Sequence, residues 1–207
     1  MLTIILWKET HFSIYKQYSL IEFFHKGGSK MEIKKEICIR LLEASDVENL
    51  LTLERENRDF FKLYTPLKEE KYYTFEGQSE RVEKSMLLAK EGTMYSFGIF
   101  RIKNHQLIGN ITLSEIVRGP LQSCWIGYYL DKKQNGKGYM TDAVKDAVHF
   151  AFNELNLHRI EAGVMPHNKA SIKVLEKAGF HKEGIAKENV QIYGKWEDHQ
   201  ILAIINK

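Results

Sequence analysis

A mixed α/β fold is the class that this 207-residue, 24.2 kDa chain predicts. Three observations carry that expectation. Runs rich in β-branched and aromatic residues, separated by short turns, fill the chain between Tyr95 and Leu130. A long stretch of helical periodicity follows, from Tyr139 to Leu155. Beyond it, strand-like and helix-like segments alternate up to Ile205, an order that neither a bundle nor a sandwich produces. Hydrophobic residues at 43% supply enough apolar surface for a core, which excludes wholesale disorder.

The elements follow in order from Glu36. Ile37–Leu41 predicts a short strand. Ser45 with Glu48 three residues later reads as a capping box for a helix over Asp46 to about Arg55. Asn57 to Gln78 is aromatic-rich and turn-prone, broken at Pro66. Glu80–Lys90 predicts a helix closed by Gly92. Strands over Tyr95–Lys103 and Gln106–Glu115 flank the turn Asn104-His105, and a third covers Ser123–Leu130. Short connections make these three antiparallel neighbours in a mostly antiparallel sheet. In the helix Tyr139–Leu155, Ala143, Ala147 and Phe150 share one side with Val144, Val148 and Ala151 nearby. A strand over Arg159–Met165, a helix over Asn168–Ala178 and a hairpin near Phe180–Gly184 and Trp196–Ile205 complete the prediction.

The first thirty residues have a different texture. Leu2–Trp7 is too short for a signal-peptide core and has no basic residue before it. His11–His25 scatters aromatic and apolar residues without a period of 2 or 3.6. Lys26-Gly27-Gly28 back-translates to a purine-rich ribosome-binding sequence shortly before Met31. Translation starting at Met31 is one expectation; a genuine extension joined through a Gly-Gly linker is the other. The expected organisation is an N-terminal extension over residues 1–35 and one functional domain over 36–206. No function is placed in the extension.

Composition narrows the function classes. Thirty Lys+Arg against 27 Asp+Glu leave a net charge of +3, no bulk signature of a nucleic-acid or membrane partner. No apolar run approaches the roughly 18–20 residues of a membrane helix. Cys38 and Cys124 make neither a disulfide framework nor a CxxC site, which predicts a reducing, cytoplasmic setting. His158, His167, His181 and His199 match no metal-ligand spacing, so no metal is expected.

The chemistry is concentrated in two helix starts. In the first, Leu130-Asp131-Lys132-Lys133-Gln134-Asn135-Gly136-Lys137-Gly138-Tyr139-Met140, a strand enters a loop with two close glycines and a long helix begins at once. Glycines tolerate positive φ and close backbone approach, so successive N–H groups can converge on an anion, aided by the helix N-terminus. A pyrophosphate cradle is one reading; an ordinary αL turn at a strand–helix junction is the other. In the second, Pro166-His167-Asn168-Lys169-Ala170-Ser171, Asn168 is an N-cap and Ser171 lies three residues on. Plain capping explains that pair as readily as ligand contact. Two helix starts after two successive strands would face one carboxyl edge of the sheet, where α/β proteins bind ligands.

These segments resemble a known family. QNGKGYM is similar to the Q/R-x-x-G-x-G/A signature of the GCN5-related N-acetyltransferases, and PHNKASIKVLEKAGF to their Asn-led helix. LIGNITLSEIVRGPLQS, IGYYLDKKQNGKGYMTDAV, LNLHRIEAGVMPHNKAS and YGKWEDH extend the resemblance to the ribosomal-protein-alanine acetyltransferases of RimJ type, over about Glu36–Asn206. The resemblance implies a splayed parallel strand pair, flanking helices, and acetyl-CoA as co-substrate without a metal. It implies that Tyr129 and Leu130 line the pantetheine arm through their backbone. Gln134, Asn135, Gly136, Lys137, Gly138, Tyr139 and Met140, with Thr141 nearby, would hold the pyrophosphate. Asn168 would contact the pantetheine or phosphate region, and Ser171 the region of the thioester sulfur. A backbone N–H near Tyr128 would stabilise the oxyanion.

The proton acceptor stays open at this point, with Glu115 and Glu161 as candidates beside their reading as solvated strand residues. An α-amine, with a pKa near 7.7–8.0, needs about 1.2 kcal/mol to lose its proton at pH 7; a lysine amine near 10.4 needs about 4.6. A weak base therefore suffices for an N-terminal acceptor. The expected function is acetyl transfer, by direct attack in a ternary complex, to the N-terminal amine of a ribosomal protein. A small-molecule amine as acceptor, or a non-catalytic acyl-CoA-binding module, are the rivals. Trp196, Asp198 and His199 either shape the acceptor end or pack. A monomer or homodimer is expected, with no direct nucleic-acid or membrane contact.

Overall fold

The structure is a computed structural model that describes residues 35–207. The expected extension and the start at Met31 lie outside the described residues, apart from the last positions before Glu36. Strands β1 (Ile37–Leu41), β2 (Tyr95–Arg101), β3 (Leu107–Val117), β4 (Ser123–Leu130), β5 (Arg159–Val164), β6 (His181–Ile192) and β7 (Lys195–Ile205) form one sheet in the order β1-β2-β3-β4-β5-β7-β6. Every neighbouring pair is antiparallel except β4 and β5. The helices are α1 (Val47–Glu56), α2 (Arg58–Phe61), α3 (Phe75–Lys90), α4 (Tyr139–Asn153) and α5 (Lys169–Lys177).

Helices cover both faces of the sheet. On one, α4 presents Ala143, Ala147 and Ala151, all fully buried at i, i+4, i+8 spacing, so that its backbone lies close to the strands. Ile172 and Leu175 of α5 join the same cluster with Ile111, Leu113 and Ile126 of the sheet. On the other face, Leu50 and Leu53 of α1 and Val82 of α3 pack on Phe100 and Leu107 in a second, smaller cluster. The periodicity that predicted α4 is the periodicity of its burial.

Three details differ from the sequence expectation. The turn before α1 is closed by Asp46, not by a Ser45–Glu48 box. Buried Asp46 accepts from the Glu43 N–H at 2.9 Å and from both terminal Arg40 nitrogens at 2.7 Å, whereas Ser45 and Glu48 are exposed. A carboxylate that can satisfy both a guanidinium and the backbone outcompetes a hydroxyl for that place. Helix α3 starts earlier than Glu80, at Phe75, because the Thr74 hydroxyl accepts from the Gly77 N–H at 3.1 Å. Strand β6 runs on to Ile192, with a register shift between Ala186 and Val190, and turns at Tyr193-Gly194, both at positive φ. That turn chemistry favours a tight hairpin. The strand is exposed along most of its length and so lacks the alternation that reveals a half-buried strand.

The sheet opens between β4 and β5. Their parallel ladder holds Ser123 to Arg159, Cys124 to Ile160 and Trp125 to Glu161, and stops there. Strand β4 continues to Leu130 paired only with β3, and β5 continues to Val164 paired only with β7. The two strands therefore part, as the splayed pair requires.

Candidate active site

The glycine loop forms the far end of this gap. Asp131 caps a 3-10 turn over Lys132–Gln134 by accepting from the Lys133 N–H at 3.1 Å. Gly136 and Gly138 follow at φ 81° and 87°, and a methyl group on either would meet nothing within 4 Å. The space above the loop is thus open, and Gly138 at the N-cap leaves the first N–H groups of α4 without side-chain partners. Lys137 reaches back to buried Gln134 at 2.8 Å. Tyr139 anchors the helix start by donating to Glu36 at 2.5 Å, and Met140 is buried beside it. Asn135 and Thr141 complete the loop and first turn.

The loop is held from a part of the chain that sequence reasoning left as turn-prone. Asn57, 5% exposed at the end of α1, accepts from the Lys132 N–H at 2.9 Å while donating to Leu53 O at 3.0 Å. Its single side chain ties the cradle to the helix over the other sheet face. Asn57→Ala is expected to destabilise the fold by about 1–3 kcal/mol, since it strands a backbone donor. It should also speed hydrogen exchange at the Lys132 amide; unchanged exchange there would mean that other contacts hold the loop.

Across the gap, Tyr128 and Ser171 meet. The Tyr128 hydroxyl lies 2.8 Å from Ser171 Oγ and donates to Ser171 O at 3.1 Å. Asn168, as predicted for a cap, accepts from the Ser171 N–H at 3.1 Å. Burial pushes the Tyr128 phenol well above its ordinary range, against a smaller downward pull from Ser171. The pair is therefore a hydrogen-bond donor near neutral pH, not a base.

Tyr129 shows what the sequence does not reveal. Its side chain turns to the opposite face, so only its backbone and that of Leu130 border the gap; the Leu130 side chain is in the core. The Tyr129 hydroxyl donates to buried Glu54 at 2.5 Å, which also accepts from Tyr72 at 2.7 Å and Arg81 at 3.0 Å. Arg81 reaches on to Gln78 at 3.1 Å and Asn110 at 3.3 Å. Burial raises the Tyr72 and Tyr129 phenols, and burial together with Arg81 holds the Lys68 ammonium below the usual lysine range. This network braces β4 where it has lost its β5 partner.

The two candidate carboxylates are placed differently. Glu161 sits on the last paired rung, opposite Trp125, and bonds Arg159 at 2.9 Å. Glu115 is exposed in the β3 register shift at φ 52°, level with the paired part of β4 and β5, and is not brought to Tyr128 and Ser171. Burial pushes the Cys124 thiol up to about 12, so it carries no thiolate near neutral pH. Among the described residues no group of three or more His, Cys, Asp or Glu side chains is placed to hold a metal ion. No helix among them is long and apolar enough to cross a membrane.

Comparison with known proteins gives a concordant result. Residues 36–181 match the family described as Acetyltransferase (GNAT) domain. The chain is 54% identical over 172 residues to the probable N-acetyltransferase YjcK of Bacillus subtilis, covering 83% of this chain and 95% of that one. The fold is similar to the ribosomal-protein-S5-alanine acetyltransferase of Vibrio fischeri, with TM-score 0.80 and 34% identity, over 84% of this chain and 94% of that one. It is also similar to Mycobacterium smegmatis RimJ in complex with CoA-disulfide, with TM-score 0.78 and 26% identity, over 82% and 81% of the two chains.

Proposed function

The chain belongs to the GNAT acetyltransferase family and is an N-acetyltransferase, and on that footing we propose that it moves acetyl from acetyl-CoA to the N-terminal α-amine, on alanine, of a ribosomal protein. The observation that carries the donor half is the parted ladder. From Ile126 to Leu130, β4 has no β5 partner and leads straight into a glycine loop with open space above it. The backbone groups of that stretch suit the amides of a pantetheine arm. The loop N–H groups and the α4 N-terminus suit a pyrophosphate. Residues of this chain thus fit acetyl-CoA, and a solved relative holds a coenzyme A disulfide.

Each group then has a task. Gln134 to Thr141 hold the diphosphate end, and Asn168 fixes the α5 start through its cap. The Tyr128–Ser171 hydroxyls supply hydrogen bonds at the sulfur end, and a backbone N–H near Tyr128 stabilises the developing oxyanion. The amine attacks directly, since neither cysteine is a ready nucleophile. The S5-alanine activity named for the Vibrio fischeri relative supports the acceptor, and a ribosomal acceptor implies the cytoplasm.

The test is an acceptor panel. A peptide with a free N-terminal Ala is expected to be acetylated on its α-amine, whereas the same peptide blocked there but carrying lysines is not. At pH 7 the difference of about 3.4 kcal/mol makes neutral lysine amines roughly 300-fold scarcer than neutral α-amines. kcat/KM should rise from pH 6.5 and level off near the α-amine pKa of about 7.7–8.0. Preferential acetylation of lysine side chains or polyamines over every N-terminal peptide would overturn the acceptor assignment and leave the acetyl-CoA half standing.

A further inference from the structure

Each of β4 and β5 carries a glycine just past the point where the two strands part. The last paired rung is Trp125 with Glu161. Two residues further along each strand lie Gly127 and Gly163, on the face that Trp125 and Glu161 share because strand side chains alternate. Both glycines are exposed. A methyl group on Gly127 would meet nothing within 4 Å, and one on Gly163 would lie 3.6 Å from Trp125 Cζ3 and 3.6 Å from His199 Cδ2. The sheet is therefore bare of side chains at the mouth of the gap. The indole of Trp125 and the imidazole of His199 stand at its rim.

The tautomer of His199 is set by its surroundings. Nδ1 lies 3.0 Å from the Glu197 carbonyl oxygen, which can only accept, so Nδ1 carries the hydrogen. In the neutral ring, Nε2 then holds a lone pair. It has no hydrogen-bond partner among the described residues, and it is not sealed from solvent. Cδ2, the ring atom bonded to Nε2, would lie 3.6 Å from a methyl group on Gly163, and His199 Cβ 3.7 Å from it, so the imidazole stands directly beside this glycine. His199 is only 6% exposed, which fixes its position. The carboxylates around it are all engaged. On β7 itself, Glu197 is held by Lys195 at 2.9 Å; Asp198 is held by Lys187 of β6 at 2.7 Å; and Glu161 of β5 is held by Arg159 at 2.9 Å.

We propose that the acceptor amine enters through the Gly127–Gly163 opening and gives up its proton to His199 Nε2. This rests on the acetyl-transfer reading above. The amine lone pair attacks the thioester carbonyl carbon, the C–N bond forms and the C–S bond breaks. The nitrogen proton passes to Nε2, and the electron pair of the C–S bond leaves on the coenzyme A thiolate, which solvent protonates. An opening without side chains admits a chain end whose first residue is small, which is the chemistry of an N-terminal alanine.

His199→Asn tests this directly, because the Asn amide nitrogen can keep the bond to Glu197 O while Nε2 is lost. With N-terminal Ala peptide, kcat is expected to fall about 100-fold or more, with the acetyl-CoA Kd unchanged by calorimetry. Gly163→Ala, whose methyl would make only ordinary contact with the imidazole at 3.6 Å, is expected to raise the peptide KM at least tenfold with the same unchanged Kd. A third measurement changes the acceptor. With an acceptor amine of low basicity, neutral throughout the assay range, the His199→Asn loss in kcat should persist, because the proton still has to leave the attacking nitrogen. A His199→Asn enzyme within about threefold of wild type with either acceptor overturns the proposal. Wild-type enzyme that acetylates some other amine refutes the alanine assignment instead, and the same comparison is then made with that amine.

Discussion

Gly138→Val is expected to lower acetyl-CoA affinity at least tenfold while leaving the domain folded. Gly138 sits at φ 87°, where a side chain costs roughly 1–2 kcal/mol and a β-branched one more. The protein has room for the added atoms, since nothing lies within 4 Å of the first of them, so the fold survives. In the proposed cradle, that same space is where the diphosphate approaches the loop N–H groups. A branched side chain fills it and also shifts the backbone that aims those donors. Tenfold corresponds to about 1.4 kcal/mol, less than the loss of two charge-assisted hydrogen bonds, at about 1.5–3 kcal/mol each. Gly138→Ala should lose less, because its single methyl leaves most of the space open. Unchanged affinity in a folded Val variant, measured by calorimetric titration, would remove the loop as the phosphate cradle.

Arg81→Met is expected to lower the melting temperature by about 6–12 °C. Glu54, 4% exposed, accepts from Arg81 at 3.0 Å and from two phenols, and Arg81 is its only cationic partner among the described residues. Removing one partner of a buried ion pair costs about 3–5 kcal/mol. The Arg81 side chain keeps 25% exposure and Tyr72 and Tyr129 still donate to the carboxylate, so the lower end applies. For a domain of this size each kcal/mol is worth about 2–4 °C. Glu54→Gln combined with Arg81→Met should lose less than the two single changes summed, because the amide carries no charge to strand. Acetyl-CoA affinity should fall as well, since β4 has this network in place of a β5 neighbour. A melting temperature unchanged in Arg81→Met would mean that the phenols alone satisfy Glu54.

What could be read along the chain was whatever is specified by consecutive residues. The spacing of Ala143, Ala147 and Phe150 announced α4, the glycines announced a loop with positive φ, and Asn168 with Ser171 announced a cap that the structure closes at 3.1 Å. Each of these depends on backbone conformation within a turn or two. The family resemblance added the parting of β4 and β5, which no local pattern encodes.

The rest was decided in three dimensions. Tyr129 lies 75 residues from Glu54 and Arg81 27 residues from it, and no spacing rule joins them. Glu115 and Glu161 looked equivalent as strand carboxylates until register set one on the last paired rung and the other in an exposed bulge. Gly127 and Gly163 read as unremarkable strand residues, yet both lie just past the last β4–β5 rung, and His199 of the last strand stands beside Gly163. Capping and helical period are short-range and determined by the sequence alone. Which side chains meet across a sheet depends on strand order, register and the packing of both faces, and only the tertiary structure decides that.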